Sequence, residues 1–140
     1  MVGIIIICHC NLSTELLNVV KLIVGDVKNM SAVSVDPQES PEDSFKRISK
    51  AIKAVDSGDG VLMLTDMFGG TPSNLSLPFL DDAHIEVLTG VNLPMLVRLI
   101  TLREGKKRNL LELAKDLKEY GRRNICIASE ILKNKQVSDG

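Results

Sequence analysis

Apolar residues in this chain gather into short uninterrupted runs separated by stretches of helical spacing. Gly3 to Cys8 and Val61 to Leu64 carry no charged side chain, as expected for strands covered on both faces. Ser31 to Val35 and Ile85 to Leu88 are shorter β-rich runs. Between the first two strands, Ser13 to Val24 places Leu16, Leu17, Val20 and Val24 on one face, with Gly25 as a stop signal. Ser40-Pro41-Glu42-Asp43 opens a second helix with a capping serine, a proline in the first turn and two acids. That helix runs to about Val55, with Phe45, Ile48, Ile52 and Val55 toward the core. The spacing predicts a short helix from Pro72 to about Leu80, capped by Thr71. A further helix follows the Gly90-Val91-Asn92-Leu93-Pro94 loop through about Leu102, and another spans Leu110 to Tyr120, closed by Gly121. Ile125 to Ala128 reads as a final strand before a polar tail.

Four successive β-α units imply an α/β fold: a doubly wound, mostly parallel open sheet with right-handed crossovers and helices on both faces. The final strand follows two consecutive helices, so it is expected to run antiparallel at an edge or to pair with another subunit. No repeat, linker or low-complexity stretch divides the chain, and residues 1–140 read as one domain. Lys106-Lys107-Arg108 reads as a solvated turn between helices.

Composition narrows the function classes. The chain is 44% hydrophobic and 25% charged, with a formal net charge of −1. That balance offers no basic surface for nucleic acid or an anionic membrane. Its apolar runs are far too short to span a bilayer, and Ile4 to Ile7 is too short for a secretory signal and lacks a basic flank. Three cysteines in apolar segments suit a reducing cytoplasm.

The candidate chemistry lies where strands end. His9 closes the first apolar run; an imidazole there serves as base, metal ligand or nucleophile, and taken alone it reads more simply as a half-buried histidine bonded to backbone. Asp66 ends the Val61 run and by itself could merely cap the following loop. In a doubly wound sheet the first and third strands are often neighbours, and ligands bind beyond the carboxyl ends of the strands. There the carboxylate would fix the histidine tautomer and leave the other ring nitrogen with a free lone pair, as phosphoryl transfer requires. Gly69 and Gly70 let backbone approach a ligand closely, and free N–H groups with the Thr71 hydroxyl favour an anion. Cys8-His9-Cys10 is poor metal geometry, because the cysteines share one strand face and the histidine the other. Cys8 is expected in the core, Cys10 as an accessible thiol and His84 at the surface. A phospho-accepting receiver would need acidic residues at the end of the first strand to hold Mg²⁺, and none is there. No metal or cofactor is expected.

Nearly the whole chain resembles the mannose-type enzyme IIA domains of the bacterial phosphoenolpyruvate:sugar phosphotransferase system (PTS). The resemblance is carried by the Ile-rich strand ending in His9, the Leu16-Leu17 to Gly25 helix, Thr65-Asp66-Met67-Phe68-Gly69-Gly70-Thr71-Pro72-Ser73-Asn74, and Gly90-Val91-Asn92-Leu93-Pro94-Met95-Leu96. It implies that His9 accepts a phosphoryl group from the phosphocarrier HPr and passes it to a IIB protein, serving membrane sugar-permease subunits indirectly. It also implies that Asp66 bonds the ring, that Thr71 and nearby amides bind phosphate, and that a homodimer exchanges its last strand. Relatives in which the same histidine serves regulation, or a phosphotransfer-driven dihydroxyacetone kinase, share these motifs. One position departs: Cys10 stands where the family usually has glycine, and Asn11 and Leu12 replace small or aromatic neighbours. The Cys10 side chain is expected to narrow access to the nucleophile. No IIB segment follows in this sequence, so the next carrier is expected to be a separate chain.

Overall fold

The computed structural model describes residues 1–105 and 108–139, with side chains as far as residue 134. Its strands are β1 (Gly3–His9), β2 (Met30–Val35), β3 (Val61–Thr65) and β4 (Ile85–Thr89), all parallel, in the order β2-β1-β3-β4. The helices are α1 (Leu12–Val24), α2 (Pro41–Val55), α3 (Thr71–Ser76), α4 (Leu93–Glu104), α5 (Leu110–Arg123) and α6 (Ala128–Asp139), with a 3₁₀ turn at Leu77–Asp81.

β1 lies in the middle of the sheet, and its alternating side chains build two cores. Ile4, Ile6 and Cys8 pack with Leu62, Leu64, Val20 of α1, Leu96 and Leu99 of α4, and Leu113 and Leu117 of α5. Ile5 and Ile7 point the other way, to Met63, Val33, Val35 and Ile48 of α2. Ile4 through Ile7 are each 0% exposed, so the unbroken apolar run is explained by burial on both faces. Burying each isoleucine is worth about 1.5–3 kcal/mol.

Helix starts follow local chemistry. The Ser40 hydroxyl accepts from Asp43 N at 3.1 Å, Asn92 Oδ1 accepts from Met95 N at 3.0 Å, and Asn109 Oδ1 accepts from Glu112 N at 2.8 Å. Gly25 ends α1 with φ +86°, a conformation open to glycine.

Several expectations are corrected. Ile125 to Ile127 form no strand and pair with no strand of their own sheet; α6 begins at Ala128 where a polar tail was expected. Among the described residues no strand runs antiparallel. An apolar run becomes a strand only where a ladder partner is within reach, and here it leads straight from α5 into α6. Gly121 does not close α5, which continues to Arg123. It is a buried packing point: a Cβ there would lie 2.7 Å from Met95 Cε, so glycine lets α4 and α5 approach. The expected Pro72–Leu80 helix divides into α3 and the 3₁₀ turn. Phe45 lies at the rim, 40% exposed, and stacks on Phe79 at 4.5 Å. In the Lys106-Lys107-Arg108 cluster, the two lysines lie outside the described residues.

Candidate functional site

After β1 the chain turns to α1 on one face of the sheet, and after β3 it turns to α3 on the other. The crevice between two such diverging connections is where doubly wound sheets hold ligands. His9 is the last residue of β1, and Asp66 is the first beyond β3.

The two side chains meet there. His9 Nδ1 lies 2.7 Å from Asp66 Oδ2. The same oxygen accepts from His9 N at 2.9 Å, while Asp66 Oδ1 accepts from Met67 N at 2.9 Å. An ionised carboxylate only accepts, so Nδ1 carries the ring proton and Nε2 keeps its lone pair. The histidine side chain is 45% exposed and the aspartate side chain 14%. Burial pushes the Asp66 carboxyl up, but the His9 N–H, the His9 ring and the Met67 N–H together outweigh it and hold the carboxyl below its usual range. The anion is therefore maintained beside the ring.

The glycine loop covers the other edge of the imidazole. A Cβ on Gly70 would lie 2.8 Å from His9 Cε1 and 3.3 Å from Nε2, so only glycine lets the backbone pass so close to the ring. Gly69 has φ +85°, which turns the loop toward α3. Gly70 is itself the N-cap of α3, in extended conformation, and Thr71 is the exposed first helical residue. This corrects the expectation that Thr71 caps the helix: the cap position falls on Gly70, in ordinary extended backbone, and Thr71 already belongs to the first turn. Among the described residues the amides of Gly69, Gly70 and Thr71 donate to no backbone acceptor. Free donors beside a ring nitrogen that keeps its lone pair suit an incoming anion.

Cys8, Cys10 and His84 lie as expected, Cys8 buried and the other two exposed; Cys126 is exposed as well. Cys10 has φ +52°, left-handed backbone that favours glycine. Its side chain lines an open groove of about 460 Å³ with Asn11, Ser34, Asp36, Glu39 and Arg47.

Sequence reasoning missed two features. The first is an apolar rim: Leu12, which opens α1 just after His9, and Met67 and Phe68, in the loop just after Asp66, are 45%, 56% and 71% exposed. Two large apolar residues inside a loop, immediately after Asp66, were its signal. The second is the purpose of Gly90 to Pro94. Gly90 N and Val91 N both donate to Thr65 O at 3.0 Å, which anchors the residue before Asp66, and Asn92 Nδ2 donates to Gly121 O at 3.2 Å. The motif braces the site from behind.

Among the described residues no helix is long and apolar enough to cross a membrane. The family described as "PTS system fructose IIA component" matches residues 3–118. The chain is 31% identical over 133 residues to the PTS system fructose-specific EIIA component of Bacillus subtilis, covering 94% of this chain and 90% of that protein. It is 32% identical over 104 residues to the PTS system mannose-specific EIIAB component of Escherichia coli, covering 74% of this chain but only 32% of that longer protein. The crystal structure of the phosphotransferase system component EIIA from Streptococcus agalactiae superposes with a TM-score of 0.83 at 26% identity, over 93% of this chain and 99% of that one. With the fold, the His9–Asp66 pair and these likenesses in agreement, the chain belongs to the mannose/fructose family of PTS enzyme IIA components.

Proposed function

We propose that this protein is a phosphohistidine carrier: His9 accepts a phosphoryl group from HPr and hands it to a separate IIB protein, which serves sugar uptake. The observation that carries this reading is the tautomer lock, Asp66 on Nδ1 with Nε2 turned to the glycine loop. Nε2 attacks phosphorus in line as the bond from phosphorus to the donor breaks. The ring then bears positive charge, which the ionised Asp66 balances through the Nδ1 proton. The amides of Gly69, Gly70 and Thr71 and the Thr71 hydroxyl donate to the phosphoryl oxygens. Transfer onward is the same step in reverse toward the next acceptor. The apolar rim of Leu12, Met67 and Phe68 supports a protein donor, because it gives a partner surface something to cover.

The test is incubation with phosphoenolpyruvate, enzyme I and HPr, followed by a search for acid-labile, base-stable label. Label on the wild type and none on His9→Ala is expected. Label surviving in His9→Ala, or none on the wild type with several HPr proteins, overturns the reading.

The same reading includes a cytoplasmic homodimer in which residues 124–128 pair with the sheet of a second copy. Ile125 and Ile127 are 77% and 63% exposed, and β4 has an unpaired outer edge among the described residues. Exchange covers both in a closed two-fold assembly. Truncation from Arg123 onward is expected to weaken the dimer. A wild type that sediments as a monomer at micromolar concentration excludes it.

A further inference from the structure

The loop from β4 to α4 is tied at both ends by hydrogen bonds, and one side chain makes the far tie. Asn92 Oδ1 accepts from Met95 N at 3.0 Å and caps α4, while Asn92 Nδ2 donates to Gly121 O of α5 at 3.2 Å. These two roles fix which way the amide points, because only its oxygen accepts and only its nitrogen donates. A cap alone would be met by serine, threonine or aspartate. The bond to Gly121 needs a donor at the same time, and among the common caps only the asparagine amide puts acceptor and donor on separate atoms. Gly121 is buried where α5 packs on Met95 of α4, so its carbonyl is a fixed point for the loop. At the near end, Gly90 N and Val91 N both donate to Thr65 O. That carbonyl shares one planar peptide unit with Asp66 N. The two donors therefore set the plane from which Asp66 departs toward His9.

We propose that Asn92 is a positioning residue for the transfer: by anchoring the loop to α5 it holds the Gly90 and Val91 amides on Thr65 O, and so keeps the Asp66 carboxylate aimed at the His9 ring. The inference rests on the carrier reading for its functional consequence. Its path runs from Gly121 O to the Asn92 side chain, back along the loop to Val91 and Gly90, across to Thr65 O, and through Asp66 Oδ2 to His9 Nδ1. The tolerance at the end of that path is small. Carboxylate and ring meet at 2.7 Å, and a hydrogen bond weakens steeply as its partners turn out of line. A loop freed from α5 need move only slightly to turn the Thr65–Asp66 peptide and spoil that contact.

Two variants remove the anchor and spare the cap. Asn92→Ser keeps a capping acceptor but loses the reach to Gly121, and Asn92→Asp keeps the acceptor and replaces the donor with a second one. Both should therefore fold, which circular dichroism checks. Two readouts are taken: the rate of phosphorylation by HPr, and the His9 tautomer from ring ¹⁵N shifts in the unphosphorylated protein. Both variants are expected to lose roughly 10-fold in rate, the lower end for loss of an orienting partner, and to shift the ring away from the Nδ1–H form. In an Asp66→Ala background, Asn92→Ser is expected to cost no further rate, because the two residues act in series. Wild-type rate and tautomer in both folded variants overturn the proposal. So does a slowed variant with an unaltered tautomer, or a full second loss in the Asp66→Ala background, since either places the effect away from Asp66. The tautomer is read without any phosphoryl donor, so a failed carrier reading leaves this test standing.

Discussion

The two ends of the sheet are built on opposite plans. At the N-terminal end of the strands the backbone is closed off. The Arg103 guanidinium donates to the carbonyls of Val2, Asn29 and Lys28, tying the starts of β1 and β2 to α4. Gly3 packs so tightly that a Cβ would lie 2.5 Å from Val55 O. The N-terminal amine pairs with Asp59. At the C-terminal end, amides of the Gly69–Thr71 loop stand without acceptors among the described residues, Cys10 is held at positive φ, and large apolar side chains face outward. One end ties its main-chain carbonyls down through the Arg103 guanidinium, and the other leaves loop amides for something that arrives. Substitutions at the closed end should therefore move stability, and substitutions at the open end should move transfer.

The sharpest test of that division is Gly70→Val. The new side chain displaces the His9 ring, and a displacement near 1 Å lowers the rate by about 100-fold or more. The melting temperature should stay close to wild type. A normal rate of label uptake with HPr means that the ring does not need the glycine.

Arg103→Met probes the other end. Losing charge-assisted bonds to three carbonyls should remove about 1.5–3 kcal/mol of stability in a urea titration, while the folded fraction still accepts phosphate at the wild-type rate. A large fall in rate with unchanged stability erases the distinction between the ends.

Asp66→Ala should slow phosphorylation roughly 10–100-fold without unfolding the chain. The depressed carboxyl also sets a pH dependence. The folded-state value lies below the unfolded one, so the Asp66 contribution to stability is fully present above the ordinary carboxylate range, near about 4, and is lost as pH falls through the folded value. Asp66→Asn should flatten the acid limb of stability measured by circular dichroism. An unchanged acid limb in that variant means that His9 and Met67 do not stabilise the anion.

The smallest effect is expected at Cys10→Gly. Relief of left-handed strain should add about 1 kcal/mol of stability, and a freer approach to Nε2 should raise the rate a few-fold. A slower rate in Cys10→Gly means that the thiol has been recruited to the site.

Much of this was legible in the chain itself. The isoleucine run of β1, the capping serine of α2 and the glycine after α1 act over a few residues, through burial and local hydrogen bonds, and they form where their spacing predicted. His9 and Asp66 were recognisable because each ends an apolar strand run. Their 2.7 Å contact was not, since it depends on β1 and β3 being neighbours although β2 and α2 lie between them in sequence. Gly121 looked like a helix stop because glycine has that local habit; only the approach of α4 made it a packing point. Residues 125–127 carry strand-forming side chains, yet a ladder needs a second strand, and among the described residues they pair with none of the sheet. Local sequence decided which segments become helix or strand, because capping, spacing and burial act at short range. Pairing, close approach and the acquisition of a partner were decided only when distant segments met, because those energies exist between residues that the linear order keeps apart.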